Sequence, residues 1–425
     1  MGSGLGWIDF SSEHRDRVRT VIDLLAAPGV VDELGIGIIR DVFSDVLFPG
    51  ISTIQTRPKY FLIVPRILKD YENLPDKQRQ RISLEDYLAR EELDCRVKLA
   101  ERYGSREGLG VIGVTFGTRT DTDVQRRPSS VYWNGLCTFG LVKANGSLSE
   151  FCRRQSGHRP SLRLRLQETK DELGDDVDAE DLTGNLVMLP PLENWKEELS
   201  ITLTEDEARF LRHQITASKP DSLLGQLLLD DEVADAFTGL TDKADFAKMV
   251  DLLEEIRFPH ADSLRIARMA RDFWKLLYGA HIRYNVLLQS RYGGGAALER
   301  VEQMWQEWWE QIREFDWHSW SDEALWVLVA EQGSHPQPWT KKFINGWIDA
   351  CRRREPSVAV LDELVIHQET LNKRSRSRLQ TKKQDEAVGE WVGISVLDYR
   401  LKQARVLVTD IQRAERGEAD PNAGH

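Results

Sequence analysis

The sequence predicts an α+β chain: a mixed α/β part over residues 1–165 with a winged-helix-like module, an acidic linker over 166–200, a mainly α-helical part over 201–415, and a disordered tail over 416–425. Three observations predict this. The run Tyr60 to Val64 is β-branched and aromatic between Pro58 and Pro65, as expected of a short buried strand. Residues 171–181 carry seven acids and no base, the composition of a solvated loop. From Ile201 onward, apolar residues recur at helical spacing.

The first element is a helix. Ile39, Val42, Phe43, Val46 and Leu47 follow the i, i+3, i+4, i+7, i+8 pattern, and Pro49-Gly50 ends it. Gly35-Ile36-Gly37 precedes it, but no strand leads in and Arg40 stands where a dinucleotide fingerprint needs its third glycine. The following "ISTIQTRPKYFLIVP" is a polar loop and the predicted strand. Gln55, Arg57 and Lys59 carry donors that suit phosphate; a loop held by local hydrogen bonds is the simpler account.

Val111 to Phe116 reads as a strand interrupted by Gly113, and Ser129 as the N-cap of a helix carrying Val131, Tyr132, Leu136 and Phe139 that Gly140 closes. The Asn145-Gly146 turn signal after it allows a helix and wing, or a plain helix, turn and strand. Arg126, Arg127, Arg153 and Arg154 flank this module and would face phosphates in the first case. Past the acidic block, Thr204 with Glu207 forms a capping-box signature. Residues 263–288 then carry an apolar face wide enough to belong in a bundle.

Composition excludes several classes. With 425 residues, 41% hydrophobic and 30% charged, the chain can bury a sizeable core. Cys95, Cys137, Cys152 and Cys351 are scattered, with no zinc-type pair and no disulfide framework, so a reducing cytoplasm is expected. No apolar run reaches membrane length and the opening residues lack a signal-peptide pattern. No P-loop, serine elbow or HExxH step occurs, and no cofactor is implied. A net charge of −12 argues against a wholly nucleic-acid-binding surface, although a local basic patch survives that objection.

Such a patch exists. Lys373, Arg374, Arg376, Arg378, Lys382 and Lys383 occur without an intervening acid; they suit phosphate, or form a solvated helix end. Eight tryptophans between Trp305 and Trp347 would stack unpaired bases or, at helical spacing, fill a core. His281 and His335 lack metal-ligand neighbours and read as structural. For a metal-dependent nuclease, the candidates are Glu168 and Lys170, an acid-x-lysine step, with Asp121 or Asp123 as upstream ligand.

The stretch "DELGIGIIRDVFSDVLFPGISTIQTRPKYFLIVP", then "RRPSSVYWNGLCTFGL", "RSRL" and "GEWVGISVLDYRLKQARVLVTDI", resembles a bacterial family known only as a domain of unknown function. The resemblance implies anti-phage defence, beside helicase-type and phospholipase D-like partners. It supplies no catalytic residues. The function expected is therefore a non-enzymatic, DNA-associated or scaffolding subunit of a defence assembly. The alternative is a metal-dependent nuclease or other effector of such a system.

Overall fold

The predicted strand at Tyr60 to Val64 is a helix, and its burial explains why. In the computed structural model, which describes residues 32–104, 106, 108–121, 124–157, 186–187, 189–190, 194–241, 244–353, 356–380 and 389–418, Tyr60–Glu72 is α-helical through Pro65. Every residue from Tyr60 to Leu68 is buried, so no polar face exposes the helical period. A helix buried all round and a buried strand look alike in sequence.

The regular elements are helices: α1 (Gly37–Leu47), α2 (Tyr60–Glu72), α3 (Asp76–Arg79), α4 (Leu84–Tyr103), α5 (Pro128–Thr138), α6 (Leu148–Gly157), α7 (Glu205–Ser218), α8 (Leu223–Leu229), α9 (Asp231–Thr238), α10 (Phe246–Glu255), α11 (Ala261–Tyr292), α12 (Gly295–Arg313), α13 (Asp322–Glu331), α14 (Pro338–Cys351), α15 (Val358–Lys373) and α16 (Leu401–Glu415). Short 3-10 turns lie at Val114–Phe116 and Arg374–Arg376. No strand occurs among the described residues, so the α+β expectation is replaced by an all-α fold.

The other β readings fail for local reasons. Val111 to Phe116 is broken by Gly113 at φ +74° and closes as a 3-10 turn. The wing is absent among the described residues: Val142 makes an isolated bridge to Leu186, and the chain after Asn145-Gly146 enters α6. There Ser147 Oγ accepts from the Glu150 N–H at 3.2 Å, while Glu150 accepts from the Ser147 N–H at 2.8 Å. This capping box commits the segment to helix. Helix α5 begins two residues earlier than expected, with Arg127 at the N-cap position and Pro128 in its first turn in place of a Ser129 cap.

The chain forms two compact units that interleave along the sequence. One comprises residues up to Ser44, Phe246–Asp251 and Leu264–Tyr399. Its core is α11, where Phe273, Leu276, Leu277, Ala280 and Tyr284 are fully buried. The indoles of Trp308 and Trp347 donate to the carbonyls of Lys275 and Leu276 at 2.8 and 2.9 Å. Gly279 lets Trp308 lie against the helix, since a Cβ there would sit 2.2 Å from the ring.

The other unit comprises Asp45–Asp245, Leu252–Ser263 and residues from Arg400 on. In it α2 packs on α4 and α5, and α7 on α8 and α16. Phe61, Tyr132 and Phe139 form an aromatic knot, with ring centroids 4.9 and 5.3 Å from Phe61. The capping box at Thr204 and Glu207 is formed. The acidic block at 171–181 and the tail from 419 lie outside the described residues.

Candidate nucleic-acid interface

The basic run after α15 divides into one structural lysine and three exposed arginines. Lys373 Nζ lies 3.0 Å from the buried carboxylate of Glu33. Its neighbours clamp the same loop: Asn372 Nδ2 donates to the Asp32 and Glu33 carbonyls at 2.9 and 3.0 Å. Gln368 Nε2 donates to the Leu34 carbonyl at 2.6 Å. The glycines that resemble a nucleotide loop serve this clamp. Gly35 has φ +71°, and a Cβ there would lie 2.9 Å from Asn372 Oδ1. Asp32 accepts from the Ile36 and Gly37 N–H groups at 3.1 and 2.6 Å, capping α1.

Beyond Lys373 the helix ends at Arg374, whose φ is +53°. The chain is then pinned from beneath by Glu369, which is fully buried. Its carboxylate accepts from the Ser377 hydroxyl and, at 2.6 Å, from the Arg378 N–H. Burial pushes the Glu369 carboxyl above the usual carboxylate range against the lowering effect of these bonds, and the nearby Glu33 adds to the rise. Ser377 and Leu379 face inward, whereas Arg374, Arg376 and Arg378 are exposed. None of these three guanidinium groups has a carboxylate partner among the described residues.

The arrangement is a pinned turn at a helix C-terminus, where the helix dipole favours cations, carrying three donor forks suited to phosphate. Lys373 belongs to the fold beneath it. Lys373→Met should therefore destabilise the chain by about 3 kcal/mol, because it strands the buried Glu33 charge. Denaturant titration at neutral pH measures this, and a destabilisation below about 1 kcal/mol contradicts the assignment.

The remaining candidates sit elsewhere. Gln55 Nε2 donates to the Gly50 carbonyl at 3.0 Å. Arg57 Nε pairs with Asp410 at 2.7 Å on α16. Lys59 and Arg66 share the Glu207 carboxylate at 2.6 and 2.7 Å. Each of these side chains is buried, Gln55 included. Arg126 and Arg127 are half-buried, and Arg127 borders a cavity of about 20 Å³ with Glu92 and Arg96. Arg153 and Arg154 are exposed on α6 and bond the Ser149 and Asn145 carbonyls.

Asp121 is exposed; Asp123, Glu168, Lys170, Lys382 and Lys383 lie outside the described residues. No cluster able to hold a metal ion occurs among the described residues. The residues that build the arginine turn from below, Glu369 and Glu33, escape a reading by charge runs, since one belongs to a helix and the other to a distant loop. The available signal was an acid at Glu369, one helical turn before Lys373.

Fold and turn together define a protein that is helical in its described residues and presents a pinned basic turn. The chain matches the model of a family described as "Family of unknown function (DUF6361)" over residues 2–414 and belongs to that family. No curated protein and no solved structure matches it. No helix among the described residues is long and apolar enough to cross a membrane.

Proposed function

We propose that this protein is a non-enzymatic, nucleic-acid-associated subunit, with the turn at Arg374, Arg376 and Arg378 as its phosphate-binding element. The observation that carries this reading is three exposed guanidinium groups without carboxylate partners among the described residues, in a chain of net charge −12. Elsewhere exposed cations commonly pair with acids: Arg209 with Glu205, Arg300 with Glu390, Arg416 with Asp235. Cations left unpaired on a fixed backbone retain their attraction for phosphate. The setting, a bacterial anti-phage assembly with helicase-type or phospholipase D-like partners, is the one that the family resemblance in the sequence implies.

The test is a salt titration of DNA binding. Replacing Arg374, Arg376 and Arg378 by alanine should weaken binding to all sequences alike and reduce the log-log salt slope by about one unit for each phosphate no longer neutralised. The surface location of these side chains leaves the fold intact. A triple variant that binds like the parent across the titration refutes the phosphate role.

A further inference from the structure

One tryptophan of the cluster is set apart from the other seven. Trp305, Trp309 and Trp317 have aromatic partners at centroid distances of 4.8 to 6.0 Å. Trp308, Trp320, Trp326 and Trp347 donate their indole N–H to Lys275, Asp322, Asn345 and Leu276. Trp339 is half-buried, and among the described residues its ring has no aromatic or cationic partner and its N–H no acceptor. Packing accounts for the seven. It leaves one face of chemistry unused.

The place of Trp339 gives that indole a use. It lies in the first turn of α14, beside Thr340, whose hydroxyl accepts from Gln368 Nε2 at 3.3 Å. Helices α14 and α15 pack together and are joined by a short connection, so they run antiparallel. The start of α14 therefore lies beside the end of α15. From Gln368 to Arg374 the helix rises only about 9 Å, which puts the indole and the arginine turn at the same end of the same unit. Lys341 and Lys342 follow Trp339 and are exposed, with no carboxylate partner among the described residues. Lys341 is turned to α13, its ammonium 4.8 Å from the centroid of the Trp326 ring, so only the exposed Lys342 adds a cation near this end.

We propose that Trp339 and the arginine turn form one site for single-stranded polynucleotide, the guanidinium groups holding phosphates and the indole stacking an unpaired base. This rests on the phosphate-binding reading of the turn and adds a strand preference to it. Duplex bases are already stacked on one another and offer the indole no face. A single strand offers one at every nucleotide, whatever the sequence.

The experiment measures dissociation constants of the full chain for labelled oligothymidine, oligouridine and a duplex of equal length, at two salt concentrations. Trp339→Ala should weaken binding of single strands by about tenfold or more, with duplex binding and salt slope unchanged. Trp339→Phe, which keeps a stacking face, should recover most of the affinity. Comparison of the two oligomers separates DNA from RNA as the natural strand. If Trp339→Ala binds single strands as the parent does, or weakens duplex equally, the strand preference is overturned while the phosphate reading stands. If the triple arginine variant binds every probe like the parent, the phosphate reading itself falls, and this inference with it.

Discussion

Glu207→Gln is expected to destabilise the unit containing α7 by about 3–5 kcal/mol, the effect of leaving buried cations without their counter-charge. One carboxylate serves two of them: Lys59 at 2.6 Å and Arg66 at 2.7 Å, all three side chains almost wholly inaccessible. The same carboxylate also accepts from the Thr204 N–H at 2.9 Å, closing the capping box. Burial alone would raise the Glu207 carboxyl, but Lys59, the Thr204 N–H and Arg66 outweigh it and hold the group below its ordinary range. Lys59 is lowered as well, since burial disfavours its charge more than a shared carboxylate and the repulsion of Arg66 allow it to recover. Two cations to one anion leave the cluster incompletely balanced.

The sign of the pH effect follows. Because the folded-state value of Glu207 lies below the unfolded one, the folded protein binds fewer protons there. Its contribution is complete above the ordinary carboxylate range and fades as pH falls through that range toward the lower folded value. Denaturant unfolding at pH 7 and pH 4 should therefore show parent and variant converging in acid. Glu205→Gln, on the exposed side of the same helix, is the control and should change stability by less than about 0.5 kcal/mol. Equal effects of the two substitutions at pH 7 would sink the argument.

What the sequence made legible depended on contrast. Helices α1 and α7 have a polar side, so their period and their caps stand out, and both are helices in the structure. Helix α2 has no such contrast through Leu68, and the β-branched residues that fill it mimic a strand. At Ser147 two local signals competed, a turn dipeptide and a capping box, and the helix that follows shows which prevails.

The basic run after α15 was visible as charge without acid. Its division was not, because the partner of Lys373 is Glu33, near the other end of the sequence. The same holds for Arg57 and Lys59, whose acids Asp410 and Glu207 come from remote helices. Burial of a charge is a property of long-range packing, and local composition carries no record of it. Trp339 is similar: only the partners found for the other seven distinguish it.

His281 should give the other unit a second acid sensitivity, at a higher pH than Glu207 and by a different cause. The ring is fully buried in α11, 5.5 Å from Trp274 between centroids, with no hydrogen-bond partner at either nitrogen among the described residues. Burial pushes its pKa down from 6.5 to about 3. The folded state thus refuses a proton that the unfolded chain accepts once pH drops below its ordinary value. Stability from this group is fully present above pH 6.5 and fades as pH falls toward the folded value near 3. Between pH 7 and pH 5 the decrease amounts to about 2 kcal/mol, using about 1.4 kcal/mol for each unit of pKa difference once the unfolded chain is protonated. His281→Phe keeps a ring of similar shape and removes the titration. Parent and variant should have similar stability at pH 7, since the substitution breaks no hydrogen bond of the ring. At pH 5 the variant should be the more stable by about the same 2 kcal/mol. Unfolding by urea at the two pH values, followed by tryptophan fluorescence from the surrounding cluster, measures the difference directly. Parallel pH dependence in the two proteins would show that the imidazole takes up its proton within the fold.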